Sequence, residues 1–461
     1  MTLKRAFFTV LCTTAIAGIA SCSELAGLGE YDSPLTAGAG PDAGGVTAPP
    51  IGVAVPSSCA GEKADENAGV FVAQWKAAAA ECGSKATPCS SIQAGLERAI
   101  AMQKAIVYVG KGTYVETVTT RAGLTVQGGW DVTTGSRICT PDRAGSVTIK
   151  ADDASNVTVI ASGAMAALDT LTIVSRGAPA RAGESLYGIR ATAPTTVRDV
   201  TVRVGNAGAG APGIAGTLGS IPLAGTCLAG DGAAGKPGGP GAGAGVGAFS
   251  AEGYQPAKGA DGLAGSAGNA GAATKGECPT GCESCLSQPE NGECGKPLCG
   301  KDGVPGCPGA GGTPGHGGGG GGSSIAVFAS GANVTVQGGG LFAGNGGNGG
   351  AGGEGGAAGS AVAVAPPGKT KCQGCILAFG VCNPPFDTGD ADNGMSGAGG
   401  SGGAGGAGGG GSGGHSYAVF RAAGAKVNPT GTKLGIGQAG GGGAGPGVIE
   451  GKPGKAGEMG P

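Results

Sequence analysis

The sequence predicts an all-β chain in which short strands stack in repeated coils, with one helix near the start and long glycine-rich insertions. Alternating or β-branched runs such as "SVTIKA", "NVTVIAS" and "TVRDVTVRVG" recur about every eight to twelve positions, separated by turn residues. Strand patterns of one kind return after each glycine block. Glycine supplies 108 of 461 residues, far above ordinary usage.

The N-terminus is typical of an export signal. Lys4 and Arg5 precede an uncharged, mostly apolar stretch from Ala6 to Ala20, which is too short to span a bilayer comfortably. We therefore predict a signal peptide over residues 1–21.

The signal ends in "IASC", which resembles a bacterial lipobox. That resemblance implies a lipoprotein signal, with Cys22 as the acylated first residue. The alternative is an ordinary secretion signal with an incidental cysteine. Ser23 in place of Asp favours the outer membrane, with the chain lipid-anchored on the periplasmic side or at the cell surface. Residues 22–57, rich in Ser, Pro, Gly and Ala, predict a flexible tether.

Residues 58–204 predict a cap followed by the first coils. The stretch "SIQAGLERAI" predicts a helix with Ile92, Leu96, Ala99 and Ile100 on one face. The run "AIVYVGKGTYVETVTTRAGLTVQGGWD" then gives short strands separated by glycines. Strands this short pair with the next coil and bury one face in a shared stack.

Residues 205–461 continue the coils, with glycine-rich and cysteine-rich insertions. Segments beginning at Glu184, Ser323 and His415 each give an apolar strand, a turn, a second strand and a glycine run. The strings "GVGAFSAEG" and "GSAVAVAPPG" are interpreted as degenerate copies of the first strand.

Many glycine blocks keep glycine at every third position, as in "GADGLAGSAGNAG". This period suits a collagen triple helix or extended polyglycine-II-like segments packed within one chain. Only 28 residues are proline, and strands interrupt the blocks, so we favour intrachain insertions, ordered or disordered, over collagen.

The opening pattern from "SIQAGL" through "GTYVE" to "GGWD" resembles the entrance of pectin-lyase-like chains, which implies a right-handed parallel β-helix. Most of the chain is similar to glycine-rich bacterial lipoproteins of the PGRS type. That resemblance implies a surface-associated β-helix and no established reaction.

Sixteen cysteines occur in a chain predicted to be exported. Without Cys12 and Cys22 an even number remains, which favours disulfides. The candidates are Cys59, Cys82, Cys89, Cys139, Cys227, Cys278, Cys282, Cys285, Cys294, Cys299, Cys307, Cys372, Cys375 and Cys382. The CxxC pairs at Cys282 and Cys372 leave a zinc site as the alternative. The chain has only two histidines and is predicted to enter an oxidising compartment, and both points disfavour zinc. We predict no metal and no cofactor.

Other motifs are weak. The net charge of −2 gives no field that would attract nucleic acid. The string "AVAPPGKT" resembles a P-loop, but Pro366 and Pro367 remove two amides, so we predict no nucleotide site. His316 and His415 lie in glycine runs and are interpreted as loop residues.

An enzyme is the alternative that the fold resemblance raises, since pectin-lyase-like chains include polysaccharide lyases and hydrolases. The best local carboxylates are Asp152 and Asp153, with arginines on later strands at Arg176, Arg190, Arg198 and Arg203. Asp169 and Asp199 are predicted to cap turns. No extended acidic cluster is visible, so we predict no enzyme.

The expected function is structural or adhesive, at a lipid-anchored position on the membrane. The partner would be an extracellular polysaccharide or a surface protein. A polysaccharide-binding or pectate-lyase-like polysaccharide-cleaving protein is the alternative, with Tyr108, Tyr114, Trp130 and Tyr187 as the aromatic candidates. Ice or mineral binding by regular glycine bundles is a third hypothesis.

Overall fold

A computed structural model describes the chain from Gly61 onward, apart from several gaps. The predicted signal peptide, Cys22 and the tether lie outside the described residues. All described residues belong to one compact unit, Val53–Pro461. The described ranges are 61–74, 81–140, 142–220, 232–277, 300–362, 368–374, 377–378, 381–382, 386–447 and 449–461.

Helix α1 (Ile92–Ala101) lies where the sequence predicts it. The Ser91 side chain accepts a hydrogen bond from the Ala94 N–H, and the Glu116 carboxylate accepts the N–H groups of Ile92 and Gln93. Three of the four predicted face residues are fully buried. Ile100 is 51% exposed and lies off that face, because it follows the buried Ala99 by one position.

Strands supply nearly all of the regular secondary structure among the described residues, and most of them form three large sheets, paired in parallel apart from β6. This confirms the all-β prediction. Sheet A holds β1 (Gly69–Val72), β2 (Ile106–Gly110), β5 (Thr125–Asp131), β6 (Ser136–Arg137), β9 (Ala166–Asp169), β12 (Thr195–Arg198), β17 (Asn333–Gln337) and β24 (Lys426–Thr430). Sheet B holds β3 (Gly112–Val115), β7 (Val147–Lys150), β10 (Thr172–Val174), β13 (Thr201–Arg203), β18 (Gly340–Phe342) and β25 (Lys433–Gly435). Sheet C holds β4 (Val118–Thr119), β8 (Val157–Ala161), β11 (Leu186–Ala191), β16 (Ser324–Ser330), β23 (Ser416–Ala422) and β26 (Ala456–Met459).

Smaller elements lie between these strands. They are the 3-10 helix η1 (Ala144–Ser146) and the antiparallel pairs β14 (Ala248–Ser250) with β15 (Gly253–Gln255), β19 (Lys369–Gly374) with β22 (Phe386–Asp392), and β20 (Leu377–Ala378) with β21 (Val381–Cys382).

From β2 onward the chain visits sheets A, B and C in that order, and one such circuit is called a round below. Strands of successive rounds pair in register, so equivalent side chains stack. Apolar residues at alternate positions face inward and are fully buried, as at Leu168, Val197 and Val336 in sheet A. The largest of the three buried hydrophobic clusters therefore runs along the inside of the stack.

The predicted repeat is visible in sheet C. Tyr187, Ile325 and Tyr417 occupy one register position on β11, β16 and β23, so the first copy is shifted by one residue relative to the alignment of the three segments. The interpretation of "GVGAFSAEG" as another copy is wrong. Its residues form the β14–β15 hairpin, whose Phe249 ring stacks on Phe420 outside sheet C at 3.6 Å between centroids.

The long glycine-rich insertions all leave between a sheet B strand and the next sheet C strand. Their extended segments hydrogen-bond to one another at every third residue, and we call this assembly the glycine array. Gly210, Gly213 and Gly216 donate to Asn348, Ala351 and Glu354 in turn. The segments are 207–219, 232–244, 259–271, 300–322, 344–359, 394–414, 437–444 and 449–454.

The 394–414 segment lies at the centre of the array. Gly405 donates to Gly356, and Gly406 donates to Leu263. The Gly406 carbonyl accepts from Gly315. A Cβ on Gly406 would lie 1.9 Å from the Gly239 carbonyl oxygen, so no larger residue fits without moving the backbone. The glycine period therefore reflects close approach of backbones from several sides.

The third position of each period carries the side chains, and some of these hydrogen-bond to N–H groups of the next segment. The Asn206 side-chain oxygen accepts the N–H of Asn345, whose own side chain accepts the N–H of Gln438. Asn348 accepts the N–H of Gly441 in the same way. The side-chain amides thus supply acceptors for backbone donors at the surface of the array.

Candidate functional site

The outer face of sheet A carries a row of polar side chains in register across successive strands. Gln127, Asp169, Arg198, Gln337 and Thr430 occupy equivalent positions on β5, β9, β12, β17 and β24, and we call this row the polar ladder. Adjacent strands lie about 4.8 Å apart, so neighbouring side chains of the ladder are within contact distance.

Asp169 is the centre of the polar ladder. Its Oδ2 accepts from Gln127 Nε2 at 3.3 Å and from Arg198 Nη2 at 3.4 Å. Its Oδ1 accepts from the Thr170 hydroxyl at 2.7 Å, and that hydroxyl accepts from Arg137 Nη2 at 2.8 Å. The prediction of a simple turn cap at Asp169 misses this network.

Arg137 lies beneath the ladder with only 4% of its side chain exposed. Its guanidinium carbon lies 4.9 Å from the Trp130 ring centroid, and Glu62 and Asp169 lie within 4 Å of its nitrogens. Burial lowers its pKa, although the two carboxylates oppose that shift. Arg137 Nε and Nη1 and Trp130 Nε1 are buried without a hydrogen-bond partner.

The corner that follows the ladder adopts left-handed backbone. Thr170 has φ of +57° and Asp199 has φ of +49°. The first is unusual because threonine is β-branched. Asp199 accepts a hydrogen bond from Arg143 at 3.1 Å, so its carboxylate is engaged by a side chain.

The carboxylates and arginines predicted for the enzymatic alternative lie in different networks. Asp152 accepts the N–H groups of Ala154 and Ser155, and Asp153 accepts that of Ala178. Asp152 thus forms a local turn, whereas Asp153 ties its turn to the loop after β10. Arg176 pairs with Glu184, Arg190 with Glu252, Arg198 with Asp169, and Arg203 lies over the Phe342 ring.

The Arg176–Glu184 pair is the most buried of these contacts, with 1% of the Arg176 side chain exposed. Arg176 Nη1 donates to Glu184 Oε1 at 3.0 Å, and Nη2 donates to Oε2 and to the Pro179 carbonyl. Burial opposes ionisation of Glu184, but the Arg176 and Arg181 donors lower its pKa. The pair fixes the loop before β11.

The aromatic side chains predicted for carbohydrate binding are all buried. Tyr108, Tyr114, Trp130 and Tyr187 are each at most 4% exposed. Burial raises the pKa of Tyr114 and of Tyr187. None of these four rings can therefore stack on a sugar at the surface.

The two histidines differ. His316 is half exposed, and its Nδ1 lies 3.1 Å from Asp261 Oδ2. Asp261 also accepts from the Gly317 N–H and Lys258, and these contacts lower its pKa. His415 directly precedes β23 and belongs to no strand, but it is buried among the rings of Phe249, Tyr254 and Tyr417, which its interpretation as a loop residue does not anticipate.

Burial, aided by the Lys455 charge, lowers the pKa of His415 to about 4. Its Nδ1 accepts the Lys455 N–H at 3.0 Å.

The cysteine predictions are tested only in part. Cys82 and Cys89 form a disulfide, and Cys139 and Cys307 are disulfide-bonded as well. In the described ranges, no group of three His, Cys, Asp or Glu residues could hold a metal ion. The remaining candidate side chains lie outside the described part: Cys59, Cys227, Cys278, Cys282, Cys285, Cys294, Cys299, Cys372, Cys375 and Cys382.

Among the described residues, no helix combines the length and apolar character needed to span a bilayer. Most of the P-loop-like string, Ala363 to Pro367, lies outside the described residues.

Comparison with known proteins gives no match: no family model, no curated protein and no solved structure is similar to this chain.

Proposed function

We propose that this chain is a non-enzymatic lipoprotein, anchored through Cys22 at the outer membrane, with a structural or adhesive role. The observation that carries the proposal is the glycine array. Its segments bond to one another at every third residue, and its centre excludes every side chain larger than hydrogen. Such an assembly makes a stiff body suited to display and contact.

The proposed architecture is a right-handed parallel β-helix with polyglycine-II-like insertions. Three parallel sheets visited in a fixed order support the first part. The bonding period of three supports the second, because three residues per turn is the repeat of polyproline-II-type chains.

Polysaccharide binding is the second candidate. The polar ladder favours it, since exposed Arg198, Gln337 and Thr430 offer both donors and acceptors along a sheet face. A second row on the same face of sheet A, two residues before the polar ladder on each strand, adds hydroxyl and amide groups at Thr125, Thr196, Thr335 and Asn428. Cleavage has less support, because Asp152 and Asp153 each bond to backbone. Ice binding also has little support. A repetitive surface would need the same side chain at each outward position, but those positions on 344–359 vary among Asn, Ala and Glu.

The test uses the purified chain from Ser23 to Pro461, immobilised and exposed to a panel of acidic and neutral polysaccharides. Retention and release of unsaturated or reducing product are measured with and without Ca²⁺. We expect no product in either condition. Calcium-dependent product would contradict the proposal.

Retention without product would identify an adhesive role, and variants then locate it. Gln337→Ala should weaken retention if the ladder is the contact surface. Gln438→Ala is the matched control, because Gln438 is an exposed glutamine on the glycine array. Equal effects of the two changes would argue against the ladder.

A further inference from the structure

Among the described strands none lies beyond the last round, which therefore forms an open edge of the stack. β24, β25 and β26 each end one of the three large sheets. In β24, the Lys426 N–H donates to Ala332 and the Thr430 carbonyl accepts from Gly338, so even-numbered residues bond to β17. Val427 and Pro429 therefore direct their backbone groups to the open side. Such groups are a template for pairing with another chain.

This open edge carries residues that oppose pairing. Pro429 has no N–H to offer at its outward position. Lys426 and Lys433 are exposed and begin β24 and β25. In the adjacent 449–454 segment, Lys452 and Gly454 donate to Ala244 and Gly440, while Pro453 between them has no donor. Lysine and proline on edge strands are common means of preventing edge-to-edge association.

The opposite edge of the stack is already covered by the chain itself. The Phe71 N–H donates to Gly83, and the Cys89 N–H donates to Phe71, so a turn closed by the Cys82–Cys89 disulfide occupies the free side of β1. At β3 and β4, the N–H groups of Thr113 and Thr119 bond to glutamine side chains. A second copy would find few free backbone groups there.

We propose that the last-round edge is a self-association surface held closed by Lys426 and Pro429, and that its complement is the same edge of a second copy. Because the opposite edge is covered, only like edges can meet, and a two-fold pair closes on itself. In an antiparallel pair of β24 with its copy, the exposed Lys426 of each copy loses solvent, and the missing N–H of Pro429 removes a backbone hydrogen bond from both sides of the pair. This inference is independent of the proposed function.

The test removes both obstacles in the full chain. Lys426→Thr with Pro429→Val turns "KVNPT" into an alternating strand like "NVTVQ" of β17. Molar mass is measured by light scattering over a concentration series. We expect the unaltered protein to remain a monomer and the double variant to reach twice the monomer mass and no more.

The matched control is Lys236→Thr with Pro237→Val, which makes the same exchanges at exposed neighbours in the glycine array. It should stay monomeric. Thermal unfolding verifies that each variant is folded. The milder variant Pro429→Ala restores only the backbone N–H, so it should self-associate more weakly than the double variant. A folded double variant that stays monomeric overturns the proposal, as does an unaltered protein that is already dimeric. Open-ended fibres would show that the opposite edge is not closed.

Discussion

At the scale of single residues, several charged groups of the described sheets are engaged by neighbouring side chains and backbone groups. Asp169 receives three hydrogen bonds, and Glu184 receives donors from Arg176 and Arg181. Such networks position loops and strands. Arg137 differs, because its Nε and Nη1 are buried without a hydrogen-bond partner, which costs about 1 to 3 kcal/mol for each such group.

His415 gives the clearest pH dependence. Its folded pKa of about 4 lies below its ordinary value of about 6.5, so the unfolded chain binds the proton more readily. The neutral ring stabilises the fold fully above pH 6.5, and that contribution is lost as pH falls toward 4. Discounted for partial solvation, it is on the order of 2 kcal/mol.

The measurement is the free energy of unfolding of the unaltered protein and His415→Gln between pH 7 and pH 4. Gln can still accept the Lys455 N–H, but it does not titrate. We expect a smaller loss of stability on acidification in the variant. Identical slopes for the two proteins would show that His415 does not contribute.

At the scale of elements, the glycine array depends on close backbone approach. Gly406→Ala would place a methyl group 1.9 Å from the Gly239 carbonyl oxygen, so the backbone must move. We expect a loss of on the order of 3 kcal/mol in the free energy of unfolding. Denaturant unfolding at neutral pH measures it.

Gly441→Ala is the control, because its Cβ would meet only Asn348 Oδ1, at 3.8 Å. That change should be neutral or stabilise by about 0.5 kcal/mol, since alanine restricts the unfolded chain. Equal losses for the two variants would argue that the glycine period does not reflect packing.

The strands were predictable from the sequence because their alternation reports burial of one face directly. The placement of α1 follows from its apolar face and from Ser91 as its cap. The sequence analysis missed the hairpin at β14–β15, because the short run "GVGAFS" resembles the glycine-then-apolar start of a stacked strand. The antiparallel pairing of β14 with β15 and the packing of Phe249 on Phe420 distinguish the hairpin from a stacked strand.

The polar ladder was hidden for a different reason. Asp169 and Arg198 are 29 positions apart, and only the register of β9 with β12 brings them together. The side chains of the array surface did leave a signal, because Asn345 and Asn348 occupy the one position in three that is not glycine. That these side chains accept the N–H groups of Gln438 and Gly441 could not be predicted, because the sequence does not show which segment lies next to them in the array.

At the scale of the whole molecule, the glycine array continues the sheets. Val204 after β13 donates to Phe342 in β18, and Ala207 and Gly210 donate to Asn345 and Asn348 along the same pair of segments. The β14–β15 hairpin adds a second link, since the Tyr254 hydroxyl donates to Gly413 and its N–H to the Tyr187 oxygen. Sheets and array therefore share one hydrogen-bonded framework.

This shared framework predicts that the sheets and the array open together. In hydrogen exchange followed by mass spectrometry, peptides from 394–414 should be protected about as well as those from β16 and β23, because their amides bond to several neighbours. The Gly406→Ala change should then reduce protection in β23 as well as in the array. Loss confined to the array would mean two separate units, and exchange of 394–414 at the rate of a free peptide would contradict an ordered array. The Gly441→Ala protein supplies the baseline, since it alters the same assembly without a steric conflict.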